Sequence, residues 1–157
     1  MRIRESVPAD AEGVSHVLRR SITELCRADH KDNAGDLQNW LAGKTPAFVE
    51  DWISDTNNFC ATVLADNGDI AGFGMVCRPG VLKLLYISPD HVGAGLGEGL
   101  LEVLEHRARE WGLAQLSLQS TVAAVSFYEA HGYRRADHII CRSDGISCHA
   151  MYKRLDE

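Results

Sequence analysis

The chain has 157 residues, 45% of them hydrophobic and 24% charged; these totals exclude a disordered segment and predict a single domain over residues 1–157 with its own core. Sixteen Lys and Arg against 22 Asp and Glu give a formal charge of -6, which argues against a nucleic-acid partner held through phosphate contacts and suits a cationic small substrate. No stretch approaches the roughly 20 apolar residues of a membrane span, and the N-terminus reads as having no signal segment, so a cytoplasmic protein without a membrane partner is expected.

The opening RIRES alternates and is stopped by Pro8, the pattern of a short edge strand. Asp10 is placed to cap a helix whose apolar face is Val14, Val17, Leu18, Ile22 and Leu25, at steps of three and four residues. The polar stretch RADHKDNAG should end that helix. A second amphipathic run extends from about Asp36 to Ile53, and Pro46 within it predicts either two helices or one broken one. FCATVLA, DNGD and IAGFGMVC then read as a hairpin turning on Asn67 and Gly68.

Arg78, Pro79 and Gly80 predict another turn, and VLKLLYI, nearly continuous in apolar residues, reads as a central strand covered on both faces. Leu96, Leu100, Leu101, Val103, Leu104, Ala108 and Trp111 mark the inward side of a helix ending at Gly112. LAQLSLQ follows as a strand, and VAAVSFYEAH as a helix with Gly132 at its C-terminus. YRRADHIICR and ISCHAMYKRL close the chain as two strands pivoting on Ser143, Asp144 and Gly145. The order β-α-α-β-β-β-α-β-α-β-β predicts an α+β domain with a mixed sheet, whose middle β-α-β unit is parallel and right-handed. Five widely spaced cysteines without a CxxC pair read as buried small hydrophobes, and no histidine spacing suggests a metal.

SPDHVGAGLGEGLL, residues 88–101, carries four glycines at alternate positions from Gly93 to Gly99. Closely spaced glycines between a strand and a helix let successive backbone N–H groups and the positive helix end converge on an anion. A nucleotide triphosphatase loop needs Lys and a hydroxyl after its last glycine, whereas here Gly97 is followed by Glu98 and Gly99. A dinucleotide fold places an acid after the next strand, which instead ends in Gln119, Ser120 and Thr121. A phosphate clamp within a mixed sheet is left.

LYISPDHVGAGLGEGLL resembles the acetyl-CoA signature of the GNAT superfamily of N-acetyltransferases, and STVAAVSFYEAHGY resembles its second motif. The resemblance implies an acyl-CoA N-acyltransferase fold using acetyl-CoA as cosubstrate without a metal. On that basis Val92, Gly93, Ala94, Gly95, Leu96, Gly97 and Glu98 bind the pyrophosphate, and the backbone of Leu85, Tyr86 and Ile87 holds the pantetheine arm. Val92 replaces the family's usual glutamine or arginine and Ala94 a common basic residue, so side-chain help is weakened and the backbone cradle kept. Thr121 stands where the family often has asparagine. Tyr128 matches the helix tyrosine that assists the departing thiolate; beside Phe127, it has core packing as its other role.

The acceptor is expected to be an amine of a small molecule or peptide, lodged against the helices after the first strand. Glu24, Asp29 and His30 are the candidate acceptor-binding side chains and proton acceptors, because the central strands offer only Lys83, Ser117 and Gln119. Asp29, Asp32 and Asp36 either attract a cationic amine or form a solvated loop. Two further readings compete: a GNAT-fold module that holds acyl-CoA without transferring it, motivated by Val92 and the missing strand base, and a homodimeric scaffold paired through the C-terminal strands.

Overall fold

The structure is a computed structural model and describes residues 1–141 and 146–156. The expected turn at Ser143, Asp144 and Gly145, and the side chain of Cys141, lie outside the described residues. Strand β1 (Arg2–Glu5) is followed by four helices: α1 (Ala11–Leu25), α2 (Arg27–His30), α3 (Ala34–Ala42) and α4 (Pro46–Ser54). Strands β2 (Asn58–Leu64), β3 (Ile70–Cys77) and β4 (Val81–Ile87) come next, then α5 (Leu96–Glu110), β5 (Gln115–Ser120), α6 (Val125–Ala130), β6 (Arg134–Cys141) and β7 (Ser147–Arg154). All seven strands form one sheet in the order β1-β2-β3-β4-β5-β7-β6. Only β4 and β5 run parallel, as the β-α-β unit predicts, and β1 lies at an edge. No helix among the described residues is long and apolar enough to cross a membrane.

The expected second amphipathic run is two helices. Pro46 occupies the first turn of α4, where its missing N–H costs nothing, and Thr45 caps that helix through Phe48 N. Asn33 caps α3 by accepting from Asp36 N at 3.0 Å. The polar stretch after α1 holds a further single turn, α2, which ends with Lys31 at φ 54°.

Helices cover both faces of the sheet. On one side Leu100, Leu101 and Leu104 of α5 and Val125 and Tyr128 of α6 pack on Ala61, Val63, Leu116 and Leu118. On the other, Val14 and Leu18 of α1 and Val49 of α4 pack on Cys60, Phe73 and Met75. The approach of α5 depends on Gly74, where a Cβ would lie 2.7 Å from Leu104 Cδ1. Ile22, Cys26, Trp40 and Ile146 form a third cluster, and Cys26, Cys60, Cys77 and Cys148 are buried. Leu25, expected on the buried face of α1, is 37% exposed.

Asp10 does not cap α1 through its side chain. A 3-10 turn over Pro8–Asp10 precedes the helix, and the Asp10 carboxylate turns back to accept from Val7 N at 2.9 Å and from both Arg4 nitrogens at 2.8 and 2.9 Å. Burial pushes this carboxyl up, but the Arg4 hydrogen bonds, Val7 N–H and Thr62 outweigh it and hold it below the ordinary value of 3.8. A folded-state value below the unfolded one means stabilisation that is present above about pH 4 and lost as pH falls through the depressed value. Asp10→Asn should therefore cost about 1–2 kcal/mol near neutrality and flatten the acid limb of stability, as read from urea midpoints across that range.

Candidate functional site

Strands β4 and β5 pair at only two positions, Val81 with Ser117 and Leu82 with Leu118. Beyond them the strands separate, so β4 is central in sheet order yet only Leu82 of its residues is buried. Both faces of β4 carry cover as expected, Leu85 and Ile87 against the cluster of α5 and α6 and Leu84 and Tyr86 against that of α1 and α4, but its edge opens on a cavity of about 590 Å³ with Leu85, Tyr86 and Ile87 on the wall.

After β4, Ser88 Oγ accepts from Asp90 N at 3.3 Å and opens a short turn over Pro89–His91. Gly93 and Gly95 adopt φ of +83° and +76°, and a Cβ on either would meet nothing within 4 Å, so the backbone itself faces open space. Gly95 is the N-cap of α5, and Gly99 N is the first amide to reach back, to Gly95 O at 3.2 Å. The N–H groups of residues 92–98 have no partner among the described residues, and the α5 dipole adds its positive end to them.

The loop brings Val92, Gly93, Gly95, Leu96, Gly97 and Glu98 to the cavity wall, together with Thr121 and Tyr128. Ala94 is exposed and does not line it. At Gly97 a Cβ would stand 3.3 Å from the Phe127 ring, so α6 closes directly over the loop. Thr121 caps the turn before α6 through Ala124 N at 3.2 Å.

Tyr128 is 6% exposed, and its ring meets Phe127 and Tyr133 edge-on, with centroids 5.3 and 5.5 Å apart. It thus packs and lines the cavity at once, and its hydroxyl has no hydrogen-bond partner among the described residues. Burial pushes the phenol well above its ordinary value, so the group is a proton-bearing donor at neutral pH.

Glu24, Asp29 and His30 are not on this wall. Glu24 pairs with Arg20 at 2.9 Å. Asp29 accepts from Val122 N at 2.6 Å and Ala123 N at 3.3 Å, tying α2 to the turn before α6. His30 is fully buried: Nε2–H donates to Ile22 O at 3.0 Å and Thr23 O at 3.2 Å, while Nδ1 accepts from Asp32 N at 3.0 Å. The break between α1 and α2 leaves the carbonyls of Ile22 and Thr23 in need of partners, and His30 satisfies them.

Sequence reasoning missed Ser21 and Leu25 of α1, Cys26 just after it and His91 before the loop, and it missed Phe127 and His131 as wall residues. The spacing of Phe127 and His131, four apart on one helix face, was the available signal. Trp40 is buried in the third cluster and Phe48 is exposed, and neither reaches the cavity.

Comparison with known proteins finds that residues 37–155 match the family described as acetyltransferase (GNAT) domain. An uncharacterized acetyltransferase of Streptococcus pyogenes serotype M1 is 35% identical over 66 residues, a match covering 42% of this chain and 46% of that protein. The chain superposes with a TM-score of 0.86 on a GCN5-related N-acetyltransferase from Rhodopseudomonas palustris, at 22% identity over 98% of this chain and 94% of that one. It superposes with a TM-score of 0.82 on a PaiA N-acetyltransferase from Thermoplasma acidophilum in complex with coenzyme A, at 19% identity over 98% of each chain.

Proposed function

Because the chain belongs to the GNAT acetyltransferase family, we propose that it is an acetyl-CoA-dependent N-acetyltransferase acting on an amine of a small molecule or peptide. The observation that carries this reading is the run of partnerless amides over residues 92–98 beside the opened edge of β4. That donor set suits a pyrophosphate, and the backbone of Leu85, Tyr86 and Ile87, past the last pairing with β5, suits an arm that carries its own amides. The fold of a relative in complex with coenzyme A supports the same assignment. Residues 1–157 act as one catalytic unit in this reading.

When bound, the cofactor supplies an acetyl thioester. The amine nitrogen forms the new C–N bond as the C–S bond breaks, and the proton lost by the amine balances the one required by the leaving sulfur. The backbone N–H near Ile87 stabilises charge developing on the carbonyl oxygen. Tyr128, buried and proton-bearing, hydrogen-bonds or protonates the departing thiolate. Leu85, Leu96 and Phe127 give the cavity an apolar wall.

One observation favours binding without transfer: Glu24, Asp29 and His30, the proton acceptors expected from the sequence, are all engaged elsewhere. Free-thiol release from acetyl-CoA with a panel of amines, with the acetylated product identified by mass, separates the two. Release that depends on an amine supports transfer. Cofactor binding with no release from any amine supports the holding module instead.

A further inference from the structure

We propose that His131, as the imidazolium, supplies the cationic contact to the cofactor's phosphates, so that cofactor binding takes up a proton. The inference rests on the acetyl-CoA reading and adds to it a residue and a linkage.

A polyphosphate needs counter-charge as well as amides. The loop over residues 92–98, VGAGLGE, contains no Lys or Arg and one carboxylate, Glu98. Among the described residues on the cavity wall there is no Lys or Arg at all, and the two imidazoles, His91 and His131, are the available sources of positive charge.

The surroundings of His131 decide its protonation toward an anion. Its ring stacks on Phe127 with centroids 4.6 Å apart, and Nδ1 lies 2.8 Å from Phe127 O. A carbonyl only accepts, so Nδ1 carries the proton. Nε2 then presents a bare lone pair in the neutral ring and an N–H in the cation. It faces Glu98 Oε1 at 4.0 Å, on the first turn of α5 and beside the partnerless amides. A phosphate oxygen brought within hydrogen-bond distance of Nε2 would be repelled by the lone pair and would accept from the N–H, so that contact selects the imidazolium.

The other charged groups near the ring are already matched. Glu129 on its own helix pairs with Arg135 at 3.3 Å. Lys153 of β7, which lies beside Gly132, holds Glu105 at 3.0 Å. Glu98 of α5 is the carboxylate facing the ring. His91 sits among different groups, with Asp90 bound to Arg20 and with His16 alongside, and its Nδ1 is buried without a partner.

The test uses 3′-dephospho-CoA, which lacks the phosphate monoester that itself titrates near neutrality. Calorimetry in buffers of different ionisation enthalpy should show net proton uptake by the wild type. Affinity should be about tenfold higher on the acid side of neutrality than on the alkaline side. His131→Gln should abolish the uptake and bind at all pH values as weakly as the wild type does at the alkaline end. His131→Lys, which keeps the charge, should bind with the wild type's acid-side affinity and without pH dependence. The exposed His106→Gln should behave as wild type.

Proton uptake that persists in His131→Gln, or a wild type with no uptake, overturns the His131 assignment alone. No binding heat from the folded wild type at any pH, with coenzyme A as well, overturns the cofactor reading on which it rests.

Discussion

Tyr128→Phe should lower the turnover number by roughly 100-fold, the scale of a lost general acid, while cofactor affinity stays within about twofold and the fold is undisturbed. The ring keeps its edge-on contacts with Phe127 and Tyr133, and the hydroxyl removed has no partner among the described residues. Nothing in the resting structure depends on that oxygen. The effect should therefore appear in the maximal rate of thiol release and leave the calorimetric binding constant almost unchanged. Because burial holds the phenol well above its ordinary value, the wild-type rate should show no loss from Tyr128 ionisation up to about pH 10. An unaltered turnover number in the variant would reduce Tyr128 to a packing residue.

The largest stability effect is expected from Lys153→Ala, at about 3 kcal/mol. Glu105 is 5% exposed and accepts from Lys153 Nζ at 3.0 and 3.1 Å and from the Tyr133 hydroxyl at 2.8 Å. Arg109 stands further off at 3.8 Å. Burial, reinforced by the facing carboxylate, pushes the Tyr133 phenol up, so this hydroxyl stays a donor but contributes no charge. Removing the ammonium leaves a buried carboxylate poorly matched, at a joint where α5 meets β7. Replacing both partners by apolar groups, Lys153→Met with Glu105→Leu, should recover most of the loss, because no charge then remains to desolvate. Urea unfolding of the single and double variants measures the difference. A single-variant cost below about 1 kcal/mol, typical of an exposed pair, would show that the network is solvated.

The order of the strands along the chain and the left-handed glycines after β4 were legible because each has a local cause. Gly93 and Gly95 stand where positive φ is required, Pro46 starts a helix it could not have continued, and the hairpin turns at Gly68 with φ +90°. The separation of β4 from β5 was not legible. VLKLLYI has the composition of a strand covered on both faces, which it is, but the opening of its edge past Leu82 onto a cavity is a tertiary outcome that periodicity does not encode. The engagements of the candidate acceptor side chains were not legible for a related reason. Glu24, Asp29 and His30 have suitable chemistry, but His30 serves the carbonyls at the chain break by Cys26 and Asp29 the amides of the turn before α6. Asp10 shows the same competition, since a carboxylate before a helix can serve Arg4 and the preceding amide as readily as the helix itself.

Two rungs at one end of the β4–β5 seam leave the sheet as a pair of leaves, β1 to β4 and β5, β7, β6, stitched at the spine and parted at the fore-edge. An elongated guest bearing peptide-like groups fits this gap much as an added strand fits a sheet margin. Occupancy and mechanical unity then become one property: amide exchange along residues 83–87 should slow on loading, and the two leaves should melt together at a higher temperature than when they are joined at the spine alone.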